Sequence, residues 1–241
     1  MIEDAAIIEE FKRLTREVLT YKGHRGILAG VVDELVGILE NVSEFEIDPQ
    51  LDITEGETAC SEGLAISPTQ AAKCAGEFQR TTTFLRGLHD AIAEAVESKS
   101  PELVRVLYAG SGPYATLAVP LMTVFPPERV RFTVLDMHEV SIASAKSVVS
   151  RLGLDRSVDS YVLADACDYT IPGGEIPDII LCESMSTALE REPQVAIMRN
   201  LLGQAPDAVI VPESVRVDAF LVDTSKAPDL IVPESEDPSG K

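Results

Sequence analysis

From Val104 onward the chain alternates short apolar runs with amphipathic ones, and this rhythm leaves few folds open. Val104–Tyr108, Arg131–Asp136, Ser160–Leu163, Asp178–Cys182 and Ala208–Val211 read as strands, and Ala115–Val124, Val140–Leu152 and Gln194–Leu202 as helices between them. Strand and helix in alternation predict an α/β fold of the Rossmann-like type, a parallel sheet with helices on both faces.

The sequence ahead of this unit is helical. Apolar residues recur every three or four positions from Ile2 to about Leu39 (Ile7, Phe11, Leu14, Val18, then Leu28, Val31, Leu35), which predicts two amphipathic helices broken near Lys22-Gly-His-Arg-Gly26. Glu44 to Gly63 is acidic and lacks periodicity. A further helix is expected from Ser67-Pro68-Thr69, with Ser67 as N-cap and Pro68 in the first turn, to about Glu97. The expected organisation is an N-terminal helical region over 1–66, the sheet domain over 67–213, and a C-terminal strand and tail over 214–241. Val215 to Val222 alternates like an antiparallel strand, and the residues after Lys226 are rich in Pro, Ser and acids.

Forty acidic residues against twenty basic ones give a formal charge of −20. That charge works against phosphate backbones and anionic membranes and suits a cationic partner. No early apolar run is long enough for a signal peptide or a membrane span, so a cytoplasmic protein is expected. Cys60, Cys74, Cys167 and Cys182 form no CxxC or Cys/His pattern, so reduced thiols and no metal are expected. His24, His89 and His138 are scattered. Ser111 and Ser184 lack the elbow of a serine hydrolase, and no Walker lysine follows the glycines.

Chemistry enters at the strand ends. Gly110-Ser111-Gly112 directly after the first strand permits a tight turn and a close backbone approach to a ligand, with a helix N-terminus expected behind it. The second strand ends in Asp136, 24 residues beyond Gly112, a spacing at which an acid receives a ribose hydroxyl pair. The third ends near Asp165, with small Ala166 after it, well placed for an adenine amine. Three such features at successive carboxyl ends of one parallel sheet mark the edge where these folds bind ligands.

The order Gly110-Ser-Gly112, Asp136, Asp165 resembles a class I S-adenosylmethionine-dependent methyltransferase. Cys182-Glu183-Ser184-Met185, followed by Glu192 nine residues after Glu183, narrows the resemblance to the protein arginine methyltransferases, whose active loop has the form Ser-Glu-x-Met with a second glutamate at that spacing. Glu77-Phe-Gln-Arg80-Thr81 resembles the family's Asp-x-x-Arg-Thr, whose arginine grips the cofactor's carboxylate. Ala208 to Val217, with Pro212, resembles the strand by which these enzymes leave the cofactor domain for a β-barrel. The resemblance implies S-adenosyl-L-methionine as cofactor and S-adenosyl-L-homocysteine as product. It implies a cofactor site of Arg80, Gly110, Ser111, Gly112, Asp136, Met137, Asp165 and Ala166, and an acceptor site of Glu183, Glu192 and Met185. The implied acceptor is a small cationic molecule or a peptide or protein arginine, with neither nucleic acid nor membrane as partner, and the implied assembly is a homodimer.

The sequence departs from the family at several points. Tyr108 stands where the family has an acid, and Tyr114 replaces the third glycine, although Gly112-Pro113 resembles the branch that forms symmetric dimethylarginine. The sequence has no tryptophan and ends at Lys241, so a fragment or a shortened relative, completed by the N-terminal helices or another subunit, is expected. Two carboxylates flanking a planar guanidinium would hold it in fork geometry and offset their mutual repulsion through the shared cation. Glu190 falls at the wrong spacing, and Glu190 and Glu192 also suit the start of a helix. Two other readings stand beside this one. Ala109-Gly-Ser-Gly-Pro113 with Asp136 also resembles nicotianamine synthase-like enzymes, which transfer the cofactor's aminopropyl arm, and Tyr108 fits a non-catalytic binding module.

Overall fold

The computed structural model describes residues 2–24, 26–47, 50, 52–185, 189 and 191–218. Helices α1 (Ile2–Thr20) and α2 (Ile27–Val42) form where the apolar spacing predicts them. Phe11, Leu14 and Val18 of the first meet Leu28, Val32, Leu35 and Leu39 of the second in one buried cluster. Each such side chain contributes about 1.5–3 kcal/mol by leaving water. Arg86 closes the end of α1 by donating to the carbonyls of Val18 (2.8 Å) and Tyr21 (2.6 Å), groups that a helix C-terminus leaves without intrahelical partners.

The acidic stretch holds a hairpin that the absence of periodicity conceals: β1 (Thr58–Cys60) pairs antiparallel with β2 (Gly63–Ala65). The long helix expected from Ser67 is two helices, α3 (Pro68–Cys74) and α4 (Phe78–Ser98). Ser67 caps the first as expected, its Oγ accepting from Gln70 N–H at 3.0 Å. The break falls at Ala75-Gly76-Glu77, where Gly76 N–H turns back to Lys73 O (3.2 Å) and Glu77 N–H to Cys74 O (3.1 Å).

The sheet comprises β3 (Val104–Ala109), β4 (Val130–Asp136), β5 (Val158–Leu163), β6 (Ile179–Cys182) and β7 (Val209–Val211), in the order β5-β4-β3-β6-β7 with every pairing parallel. This is the doubly wound α/β order, and the chain changes sides between β3 and β6. Val106, Tyr108, Phe132, Val134, Ile179 and Leu181 point into the core shared with α1, α2, α4 and α6 (Glu139–Arg151). Leu107, Ala109, Leu135, Ile180 and Cys182 point the other way, against Ile197 and Leu201 of α7 (Gln194–Gln204). With both faces buried, the central strands β3, β4 and β6 read as nearly continuous apolar runs, whereas β5 at the edge is only partly buried.

Two further expectations are corrected. The helix expected over Ala115–Val124 is a series of turns with only the four-residue α5 (Val119–Met122), so no long helix N-terminus stands behind the glycines. Proline at 113 and 120 and the left-handed Ala115 (φ 44°) keep this segment from regular helix. Val215 to Asp218 carries no strand, and the remainder of the expected strand and the tail lie outside the described residues. No helix among the described residues is long and apolar enough to cross a membrane.

Candidate active site

Register builds the site. Ala109 lies level with Leu135 on one side and Cys182 on the other, and Asp136 with Leu163. The residues that follow, Gly110, Asp136, Ala164 and Glu183, therefore leave the sheet at nearly one height, at the switch point. A cavity of ≈ 460 Å³ opens there, within the roughly 300–1,000 Å³ usual for small-molecule sites. Arg80, Gly110, Ser111, Gly112, Asp136, Met137, Asp165 and Ala166 all line it, and so do Glu183, Met185 and Glu192. Glu190 lies outside the described residues.

The glycines are required by conformation. Gly110 and Gly112 have φ of 74° and 63°; a Cβ on the first would meet Ser184 Oγ at 2.7 Å, and one on the second Ala71 Cβ at 3.3 Å. Asp136, only 6% exposed, accepts from Gly112 N–H (2.8 Å) and His138 N–H (2.9 Å). It thus fixes the glycine turn across the strand ends. Tyr114, where the resemblance expects glycine, points away into the core and meets Phe45 edge-on at 6.4 Å. Tyr108 stays at the cavity, only 3% exposed, and burial raises its phenol pKa.

Asp165 faces the hairpin. Its carboxylate accepts from Ser61 N–H (2.9 Å), Ser61 Oγ–H (3.1 Å) and Cys167 N–H (2.9 Å). Burial alone would raise its pKa, but these donors outweigh it and hold the carboxyl below the usual range. The hairpin region also meets Arg191, ahead of α7: Leu64 N–H donates to Arg191 O at 3.0 Å, and Arg191 pairs with Glu57 at 2.9 Å.

The Glu183 side of the cavity is electrostatically divided. Arg80, in the first turn of α4 because of the helix break, forms an ion pair with Glu183 and donates to Cys74 O at 3.3 Å. Thr81 beside it ties α4 to the preceding turn through a 2.8 Å bond to Ala75 O. The Glu183 backbone is clamped by buried Gln194, which accepts from Ser184 N–H (2.9 Å) and donates to Cys182 O (3.0 Å). Glu192 is half-buried, and the loss of hydration pushes its pKa up to about 6, against the opposing pull of Arg80 and Arg191.

Sequence reasoning missed the hairpin, Gln194 and the Arg80–Glu183 pair. Only the Ser-Glu-x-Met and Arg-Thr motifs hinted that these segments meet. The Cys60, Leu64 and Ala65 side of the cavity carried no signal.

No protein-family model matches the chain, and no curated protein does either. Among solved structures, the chain is similar to an S-adenosylmethionine-dependent methyltransferase from Thiobacillus denitrificans in complex with S-adenosyl-L-homocysteine (23% identity, 50% of this chain and 46% of that one, TM-score 0.33). It is also similar to a putative S-adenosyl-L-methionine-dependent methyltransferase from Methanococcus maripaludis (17%, 51% and 53%, TM-score 0.35). A third likeness, to MtNAS in complex with MTA and tNA, runs over 85% of this chain and 79% of that one (15% identity, TM-score 0.32). The match thus spans about half the length of the first two structures. The α/β fold itself rests on the strand order and register.

Proposed function

We propose that this chain binds S-adenosyl-L-methionine at the switch-point cavity and transfers its methyl group to a cationic, guanidine-bearing acceptor. The observation that carries the reading is the convergence of eleven residues, drawn from five separated segments, on one cavity at the carboxyl ends of parallel strands. The glycine cradle, the buried Asp136 and the hydrogen-bonded Asp165 suit a nucleoside, with Asp136 toward the ribose and Asp165 toward the adenine amine. When bound, this cofactor supplies an electrophilic methyl group on a positively charged sulfur.

The chain's own residues do the positioning. Arg80 neutralises Glu183 until an anionic carboxylate competes for its guanidinium, so cofactor entry frees Glu183 for a cation. Glu183 and Glu192 then hold the acceptor's guanidinium from two sides and concentrate its charge away from the nitrogen that is methylated. The methylated nitrogen has a proton to lose, and Glu192, with its pKa raised toward neutrality, can receive it. Alignment accounts for the larger share of the rate, up to about 7–11 kcal/mol in well-ordered systems.

The Arg80–Glu183 pair also favours a second reading. If it persists with cofactor bound, one of the two carboxylates is spent internally. Aminopropyl transfer from the same cofactor to an amine would then fit better, since it needs no paired glutamates. The products separate the readings. Incubation with S-adenosylmethionine and arginine or an arginine peptide should release S-adenosylhomocysteine and a product heavier by one methyl group, whereas methylthioadenosine would identify aminopropyl transfer. Neither product, in a chain that fails to bind S-adenosylhomocysteine calorimetrically, would overturn both.

A further inference from the structure

Cys60 and Cys167 are separated by more than a hundred residues, yet the fold brings them together. The hairpin puts Cys60 at the end of β1, and the turn after β5 puts Cys167 beside Asp165. Both thiol sulfurs and an Asp165 carboxylate oxygen lie within 4.8 Å of one another. A tetrahedral zinc-type ion with bonds of about 2.0–2.3 Å needs its ligands about 3.5–3.8 Å apart, so small side-chain rotations close the site.

We propose that Cys60, Cys167 and Asp165 form a site for a thiophilic divalent cation, of the zinc class, at the rim of the cavity. Two sulfurs select against magnesium and calcium, and the carboxylate favours a divalent ion over copper(I). Cys60 and Asp165 line the cavity, so a fourth position faces it and accepts water or a ligand atom. The Asp165 carboxylate is already oriented by Ser61 and by Cys167 N–H, the kind of outer support that metal-binding carboxylates use. Binding balances as one divalent ion replacing two thiol protons, with Asp165 already ionised; no oxidant or reductant takes part. The inference is independent of which group the chain transfers.

The site would also act on the fold. An ion bonded to both cysteines ties the β1–β2 hairpin to the β5 end of the sheet, and it draws on the carboxylate assigned above to the adenine amine. Cation and nucleoside therefore compete for Asp165.

The test uses the whole reduced chain and cobalt(II) as a spectroscopic stand-in for zinc. One equivalent should give a near-ultraviolet thiolate-to-cobalt charge-transfer band with strong visible absorption of tetrahedral type, abolished by excess zinc. Cys60→Ser and Cys167→Ser should each remove the band, while Cys74→Ser and Cys182→Ser keep it. A measurement on the unaltered chain guards against misfolded variants: zinc should protect Cys60 and Cys167 from alkylation at least tenfold, mapped by peptide mass, and leave Cys74 reactive. Absence of the band with the unaltered chain, its survival without either cysteine, or unprotected Cys60 and Cys167 would each overturn the site.

Discussion

Gly112 N–H donates to Asp136 Oδ2 across 2.8 Å, and this bond joins the ends of β3 and β4 directly beneath the cavity. Because the carboxylate also accepts from His138 N–H at 2.9 Å, Asp136 fixes backbone on both sides of itself while facing the ligand space. A residue that shapes the turn as well as facing the ligand should affect both when replaced.

Asp136→Ala should therefore weaken S-adenosylhomocysteine binding by tenfold or more and lower the melting temperature as well. Hydrogen bonds to charged groups contribute about 1.5–3 kcal/mol each. Asp136→Asn retains one side-chain oxygen for an N–H donor and should melt closer to the unaltered chain while still binding weakly. Calorimetric titration with thermal melts reads both; full affinity in Asp136→Ala would remove Asp136 from the cofactor site.

Arg80 offers a coupled test. Arg80→Ala leaves Glu183 without its guanidinium in a setting where its side chain is 11% exposed, which should cost about 1–3 kcal/mol of stability. Adding Glu183→Gln removes the stranded charge and should recover most of that loss. Cofactor binding should stay impaired in both variants, because the guanidinium is absent from both. A double variant no more stable than the sum of the singles would show that the two side chains are not energetically coupled.

What the sequence disclosed followed from periodicity and strand ends. The five strands, α1, α2, α6 and α7 all follow from apolar spacing, because burial on one or both faces writes itself into residue order. The line of Gly110, Asp136 and Glu183 was legible once the strands were placed, since parallel register brings successive carboxyl ends together. The hairpin was not legible. Its three-residue strands are stabilised by contacts with Arg191 and Asp165, more than a hundred residues away, and show no period of their own. The break between α3 and α4 turned on Gly76 overriding a helical pattern on either side. Ala115–Val124 misled for the opposite reason: its apolar content reflects the burial of a turn-rich segment from Ala115 to Met122.

Gln194 should prove a structural support of the Glu183 backbone at the end of β6. Its side-chain amide satisfies Cys182 O and Ser184 N–H, the groups on either side of Glu183. Gln194→Leu fills similar space but leaves the buried Cys182 O and the part-buried Ser184 N–H unsatisfied, so a loss of about 1–3 kcal/mol, the larger share at Cys182 O, is expected in denaturant unfolding. If the clamp matters for the acceptor, KM for the acceptor should rise more than the dissociation constant for S-adenosylhomocysteine. Unchanged stability would mean that water or a shifted backbone replaces the amide at no cost.

Glu192 makes the pH dependence of the site predictable, with opposite signs for stability and activity. Burial lifts its carboxyl from 4.5 in the unfolded chain to about 6 in the folded one. The folded state thus binds the proton more tightly, so this group's contribution to stability is fully present below pH 4.5 and is lost as pH rises through about 6. Activity runs the other way, because only the ionised carboxylate attracts a guanidinium. The acidic limb of kcat/KM, which reports the free enzyme, should have a midpoint near pH 6. The corresponding limb of kcat should lie lower, since a bound cation stabilises the carboxylate. Glu192→Gln should abolish the limb in both profiles and reduce kcat/KM by about 10²–10⁴-fold, the range for a positioned proton acceptor. An unaltered profile in Glu192→Gln would assign the limb to another group and leave Glu192 as part of the loop's packing.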